Sequence, residues 1–367
     1  MSRLKLTEES AHAAVLGGCV LGGGGGGSME DGLKMALLAV RLTSPELIDP
    51  EDLNEDAVLL NVSLVGAPSA ESRHTEPIHY CRAMELLRER INRPVAGIIT
   101  NEAGGVATVN GWLQSAMLGI PVVDAPCNGR AHPTGIMGAM GLHKEPVYQS
   151  IQAAVGGDPD KGKYLELTVS GSVQVSSSLI RQAAIQAGGL VAVARNPVSC
   201  AYAKAHGAPG AVKQAINLGQ KMLAAKADAQ AAGAKSTGGK AVLDAVCGAL
   251  QGRIIHTGRV TDYSLNYQNG FDTGIERLDD LELSFWNEYM TAETASGRLG
   301  TFPDLIMTMN AETGMPITSN EVSVGQEIAV LLVPKKNLLL GETMSDLELL
   351  KGCEEAVGRE MIRYITE

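Results

Sequence analysis

AVLLNVSLVGAP (57–68), EPIHYCRAMELLRERI (76–91), VAGIIT (95–100), TVNGWLQSAMLG (108–119) and PVVDAP (121–126) follow one another with short gaps, and their alternation decides the fold of the first half. The first, third and fifth are apolar runs of strand length. The second has helical spacing, with Ile78, Cys81, Met84 and Leu87 near one side, and the fourth also reads as a helix. Strands alternating with helices in this way predict an α/β domain whose sheet is mostly parallel, with helices packed on it. In such sheets ligands sit beyond the C-terminal ends of the strands. The segments after the three strands, GAPSAESRH (66–74), NEAGG (101–105) and CNGRAHP (127–133), are polar and Gly-bearing. They are expected to converge on one edge.

Farther along, KYLELTVSGSVQVSS (163–177) reads as a strand pair leading into a helix, and a helical stretch runs from about Pro209 to Ala227. The small, polar AQAAGAKSTGGKA (229–241) reads as a linker or flexible turn. Beyond it GRIIHTGRV (252–260), DLELSFWNEYMTAE (280–293), DLIMTMN (304–310) and EIAVLLVP (327–334) alternate with turn signals such as Asn269-Gly270. Short strands separated by turns predict a β-rich domain. SDLELLKGCEEAVGREMIRYI (345–365) has helical periodicity. The expected organisation is therefore an α/β domain over residues 1–162, which carries the site. A second domain over 163–367 opens with a helical connection, continues β-rich and closes with a helix.

Bulk composition bounds the function. Apolar residues make up 45% and charged residues 19% of the 367, as in a globular protein. Thirty basic against 41 acidic residues give a net charge of −11, which argues against nucleic-acid binding. No apolar run is long enough to span a membrane, and the start, MSRLKLTEESAHAAV, lacks the apolar core of a secretion signal. The six cysteines are scattered with no CxxC pair, which suits reduced thiols and a cytoplasmic location. Cys81 and Cys247, inside helical patterns, read as small core residues. A small-molecule substrate and a homo-oligomeric state are expected.

Three motifs can carry chemistry. LGGGGGGSMEDG (21–32) sets six glycines before a helix that Ser28 would cap. Such a turn points backbone N–H groups at a ligand, and the helix dipole favours an anion or polarised oxygen there. Gly24, Gly25, Gly26 and Gly27 are thus candidate substrate-binding residues. No Lys-Ser/Thr follows and the preceding strand is poor, so a nucleotide-binding loop fits badly. DAPCNGRAHP (124–133) gathers Asp124, Cys127, Asn128, Arg130 and His132. Cys127 could be a thiolate nucleophile activated by Arg130 and His132. Alternatively Cys127 and His132 could ligate zinc with Asp124 or a residue of another loop, or the segment could be a structural turn. NEAGGVATVNGW (101–112) places Glu102, beside Gly104 and Gly105, as a base or a ring N–H acceptor. The 66–74 loop adds Glu71, Arg73 and His74, of which His74 reads as a surface histidine. Asn287, Glu288 and Asp304, beside apolar runs, are expected to bond turns or a domain interface.

Together these blocks resemble the S-methyl thiohydantoin desulfurase family. The glycine run, the GAP turn at 66–68, NEAGGVATVN, GIPVVDAPCNGRAHP, FWNEYMTAE and FPDLIMTMN occur in the family's order, from about residue 10 to about 335. The chain departs from the family pattern at Pro126-Cys127-Asn128, at His132 and in having six glycines where four are usual. The resemblance implies hydrolysis at C2 of an S-methylated five-membered thiohydantoin, releasing methanethiol and leaving a hydantoin. Water or Cys127 would attack, the Gly23–Gly27 amides and Arg130 would hold the developing charge, and Asp124, Glu102 or His132 would move protons. The other reading is a non-catalytic accessory or regulatory subunit of a hydantoinase- or oxoprolinase-type enzyme.

Overall fold

A computed structural model describes residues 3–67, 69–231 and 238–366. The first half forms an eight-stranded sheet: β1 (Leu4–Lys5), β2 (Glu46–Ile48), β3 (Val58–Gly66), β4 (Val95–Thr100), β5 (Val122–Val123), β6 (Ser150–Gly156), β7 (Leu165–Gly171) and β8 (Leu190–Ser199). Their order is β1-β2-β5-β4-β3-β8-β6-β7. The expected parallel core is the run β2-β5-β4-β3. Strands β8, β6 and β7 extend it antiparallel, so the sheet is mixed. The stretch at 163–177 is one strand, β7, followed by a helix, and β7 pairs back onto β6. A division at 162/163 thus falls between two hydrogen-bonded strands of one sheet, which runs on to Ser199.

The helices are α1 (Glu8–Gly22), α2 (Met29–Leu42), α3 (Pro77–Arg88), α4 (Trp112–Leu118), α5 (Val173–Gln186), α6 (Cys200–His206), α7 (Ala211–Ala231), α8 (Gly238–Leu250), α9 (Leu347–Val357) and α10 (Ile362–Thr366). Helix α3 starts with proline at its first position, where a missing N–H costs nothing. The helix expected over 108–119 begins only at Trp112, after a short 3₁₀ turn at Ala107–Val109. Of the expected linker, the ends belong to α7 and α8, and its centre, 232–237, lies outside the described residues.

The second sheet is wholly antiparallel: β9 (Arg253–Gln268), β10 (Phe271–Leu278), β11 (Leu281–Trp286), β12 (Glu288–Thr294), β13 (Gly297–Thr301), β14 (Leu305–Asn310), β15 (Pro316–Ile317) and β16 (Glu327–Val333). Its order is β13-β12-β11-β10-β9-β16-β14-β15. The β-rich second domain is therefore present. Asn269-Gly270 joins β9 to β10 with φ of 54° and 79°, the two positive values a tight hairpin turn requires. No helix among the described residues is long and apolar enough to cross a membrane.

Between the sheets lie α1, α7 and α8. Residues buried on every side of α1 make it an internal helix. Val20 and Leu21 of α1 pack with Leu218 and Met222 of α7, Val246 of α8, and Met307 and Leu331 of the second sheet. Helices α1 and α7 approach so closely that a methyl group at Gly219 would come within 1.9 Å of the Ala13 carbonyl oxygen. We predict that Gly219→Ala destabilises the fold by about 1–3 kcal/mol through overpacking. Gly248→Ala, on the open side of α8, should be neutral or stabilising by up to about 1 kcal/mol. Denaturant melts of the two variants check this; equal midpoints would contradict the packing.

Candidate active site

The C-terminal ends of β3 and β4 open into a cavity of about 490 Å³. Ser63 and Val65 of β3, Asn101 and Glu102 after β4, and His132 to Gly135 line its first-sheet side. Asn287, Glu288, Ser319 and Asn320 reach it from the second sheet, and Gly24 to Ser28 lie between. The cavity is therefore built where strand-end loops of a parallel core meet the second sheet.

The glycine run leaves a helix, α1, and not a strand. Gly23 caps α1 in the left-handed region, and Gly24, Gly26 and Gly27 also have positive φ. Its carbonyls stitch the two halves together. Gly23 O accepts from Tyr289 N–H at 2.8 Å and Gly24 O from Ser319 N–H at 2.9 Å. Gly26 O accepts from the N–H groups of Val106 and Ala107, both at 3.0 Å. Most of the amides are also engaged: Gly23 and Gly25 donate within the turn, and Gly24 donates to the Met307 sulfur. The amides of Gly26 and Gly27, two residues of the cavity lining, have no protein acceptor among the described residues. Ser28 caps α2 as expected, its hydroxyl accepting from Asp31 N–H at 3.2 Å.

Glu102 and His132 meet in the cavity. Glu102 Oε2 accepts from His132 N–H at 3.1 Å and lies 3.3 Å from His132 Nε2. A chain of amides sets the imidazole. Asn61 Nδ2 donates to Gly138 O and to Asn101 Oδ1, which turns Asn101 Nδ2 toward His132 Nε2 at 3.2 Å. Nε2 thus faces both the Asn101 amide and the Glu102 carboxylate, and Nδ1 has no partner in the protein. Burial and the charge of Arg195 hold the ring neutral, its pKa lowered to about 3. Burial raises Glu102 to about 7, against the pull of its His132 hydrogen bond and of Arg195, Arg181 and Arg130.

Two buried arginines, Arg130 and Arg195, and the half-buried Arg181 surround this pair, in different roles. Arg130 donates to the carbonyls of Pro303, Asp304 and Ala131, and its guanidinium lies 4.3 Å from the Phe302 ring centre. It is a strut to the second sheet. Arg181 lines the cavity while donating to the carbonyls of Gly66, Gly270 and Pro133. Arg195, 2% exposed on β8, lines the cavity with Nε and Nη1 unpaired. Glu288, from the other sheet, lines it with Oε2 unpaired. Burial first, and then the charge of Glu102, raise Glu288 well above the usual carboxylate range. A methyl group at Gly25 would lie 2.0 Å from Glu288 Oε1, so a side chain there would displace the Glu288 carboxylate.

Several expected residues stand elsewhere. Asp124 accepts from the N–H groups of Val212 and Lys213, at 2.8 and 3.3 Å, and so anchors the start of α7. Cys127 is fully buried among Ala125, Ala139, Met140 and Val173, outside the cavity lining, and burial pushes its thiol up to about 12. A nucleophile needs a thiolate and access, and Cys127 has neither. Among the described residues no three His, Cys, Asp or Glu side chains converge as metal ligands, so a zinc site on Cys127 and His132 lacks its ligand set. Asn128 is a brace, accepting from Gly341 N–H and donating to Arg130 O. Gly104 and Gly105 pack against the backbone of Gly26 to Ser28, behind the cavity wall. Glu71 is exposed and outside the lining, whereas Arg73 and His74 of the same loop line it.

Arg181, Arg195 and Asn61 escaped the sequence reading. Their only signal was a polar residue inside an apolar strand, Asn61 in VLLNVSL and Arg195 in VAVARNP. The burial of Cys127 makes a direct prediction. In the native protein it should resist alkylation by iodoacetamide at pH 8 and react only after denaturant is added, as read by mass spectrometry of its peptide. Rapid native labelling would return it to the site.

Comparison with known proteins agrees with this architecture. A crystal structure of a protein from Chromobacterium violaceum superposes with a TM-score of 0.68 at 21% identity, over 97% of this chain and 96% of that one. At that identity the likeness speaks for the fold alone. No curated protein matches the chain. Residues 9–160 match the S-Me-THD-like N-terminal domain and residues 172–349 the S-Me-THD-like C-terminal domain. Matched in order across most of its length, the chain belongs to the S-Me-THD-like family.

Proposed function

We propose that the protein is a hydrolase that removes methanethiol from C2 of an S-methylated, hydantoin-like ring. One observation carries this reading: unpaired hydrogen-bonding groups of both kinds line a single cavity around Glu102. Arg195 Nε and Nη1, Asn110 Nδ2 and the Ser63 hydroxyl are unpaired on the first-sheet side, and Glu288 Oε2 is unpaired on the other. Buried polar groups without partners are expensive. A ring that presents carbonyl oxygens beside N–H groups would satisfy both sets.

In this reading Glu102, poised near neutrality, takes a proton from water as the oxygen adds to the amidine-like C2. The ring nitrogen gains electrons, and Arg195 or the Gly26 and Gly27 amides oppose the developing charge. Glu102 hands the proton it took to the ring nitrogen, and His132, held neutral, gives up no proton. The tetrahedral centre then collapses. The C2–S bond breaks, the sulfur leaves with one proton of the attacking water, and the ring nitrogen keeps the other. The products are the hydantoin and methanethiol. Cys127 and Asp124 take no part.

The test is methanethiol release from S-methyl thiohydantoin by the wild type and Glu102→Gln. Removing a general base should lower kcat by about 10²–10⁴-fold. Because Glu102 must be ionised to accept a proton, wild-type kcat/KM should rise with pH through about 7, and the variant should lose that limb. A variant with unchanged rate and pH profile removes Glu102 from the mechanism. Tight binding of the ring without turnover would point to the non-catalytic accessory role.

A further inference from the structure

The cavity is larger than the ring it is read to hold. At about 490 Å³ it falls in the range that accommodates drug-sized ligands. The unpaired polar groups gather around Glu102, His132, Arg195 and Glu288. The remaining lining is of another character. Met35 and Leu38 of α2, Tyr80 and Pro77 of α3, and Val65 and Leu113 present apolar surface. Leu38 is 36% exposed, a large aliphatic side chain left facing water. Covering it with apolar substrate is favourable in proportion to the area removed from water.

Charged groups also reach this part of the lining, and the lysine, the arginine and the aspartate there have partners. Arg73 Nη2 lies 3.5 Å from Asp31 Oδ2 and Lys34 Nζ 2.6 Å from Glu30 Oε1, whereas His74 Nε2, 3.3 Å from Glu76 Oε1, makes no hydrogen bond. Asp272 is engaged by the backbone N–H and hydroxyl of Ser69. An acidic or basic substituent would compete with these ion pairs. An apolar one would not.

Resting on the ring-hydrolase reading above, we propose that the natural substrate carries an uncharged, apolar substituent of about leucine side-chain size, held between α2 and α3. The ring lies at the Glu102 end, and the substituent points along Met35, Leu38 and Tyr80.

The experiment compares methanethiol release from four S-methyl thiohydantoins: unsubstituted, and bearing methyl, isobutyl or carboxymethyl at C5. The isobutyl compound should exceed the unsubstituted ring in kcat/KM by roughly tenfold or more, with carboxymethyl below both. Leu38→Asp should collapse the isobutyl-to-unsubstituted ratio, with its thermal melt confirming that it folds. An isobutyl compound no better than the bare ring, or a preference for carboxymethyl, overturns the substituent and leaves the ring chemistry standing. A ratio that survives Leu38→Asp removes the α2 wall from the subsite. Turnover of none of the four overturns the ring chemistry, and the substituent with it.

Discussion

The structure depends on the hydrogen bonds made by the carbonyls of the glycine run. Gly23 and Gly24 accept from Tyr289 and Ser319 of the second-sheet half, and Gly26 accepts from Val106 and Ala107 of the first. One short segment thereby joins the two halves, and the cavity lies along that join. Close backbone approach is the reason for glycine. A side chain at Gly24 would strike Tyr289, one at Gly25 would strike Glu288, and one at Gly26 would strike Gly104. The run acts mainly as a seam, with two amides that have no protein acceptor among the described residues.

The seam gathers charge in a place that stability alone would not favour. Arg130, Arg195, Glu102 and Glu288 come from loops and strands far apart in sequence, and all are buried or nearly so. Burying charges costs several kcal/mol each unless partners compensate. Here the compensation is incomplete, since Arg195 and Glu288 keep unpaired atoms and Glu102 is pushed toward its neutral form. Uncompensated polar groups around a cavity are characteristic of sites that await a ligand. Arg130 differs in role: though its Nη2 is also unpaired, it lies outside the cavity lining, is bonded to three carbonyls and works as a strut.

Local pattern made part of this legible. The parallel core, the hairpin at Asn269-Gly270 and the Ser28 cap follow from periodicity and turn chemistry, which act within a few residues. That the Glu102 and His132 loops would lie side by side followed from placing both at strand ends; the contact between the two side chains did not. Burial was less legible. DAPCNGRAHP carries reactive side chains in close succession, yet only His132 of its five candidates lines the cavity. Asp124, Cys127, Asn128 and Arg130 turn into the structure, because each meets a helix start, an apolar cluster or a carbonyl there. Arg181 and Arg195 come from a helix and a strand beyond the expected boundary at 162. The sheet recruits β7 and β8 antiparallel, a long-range pairing that no local signal marks. Glu288 was expected to bond turns or a domain interface; instead it lines the cavity with Oε2 unpaired.

The most direct measurement is a crystal structure of the protein with the hydantoin product bound. The account predicts the ring at the Glu102 end of the cavity, with a carbonyl oxygen within hydrogen-bond distance of Arg195 and a ring N–H facing Glu288 Oε2. A product found elsewhere, or seated there with Arg195 and Glu288 still unpaired, would contradict it.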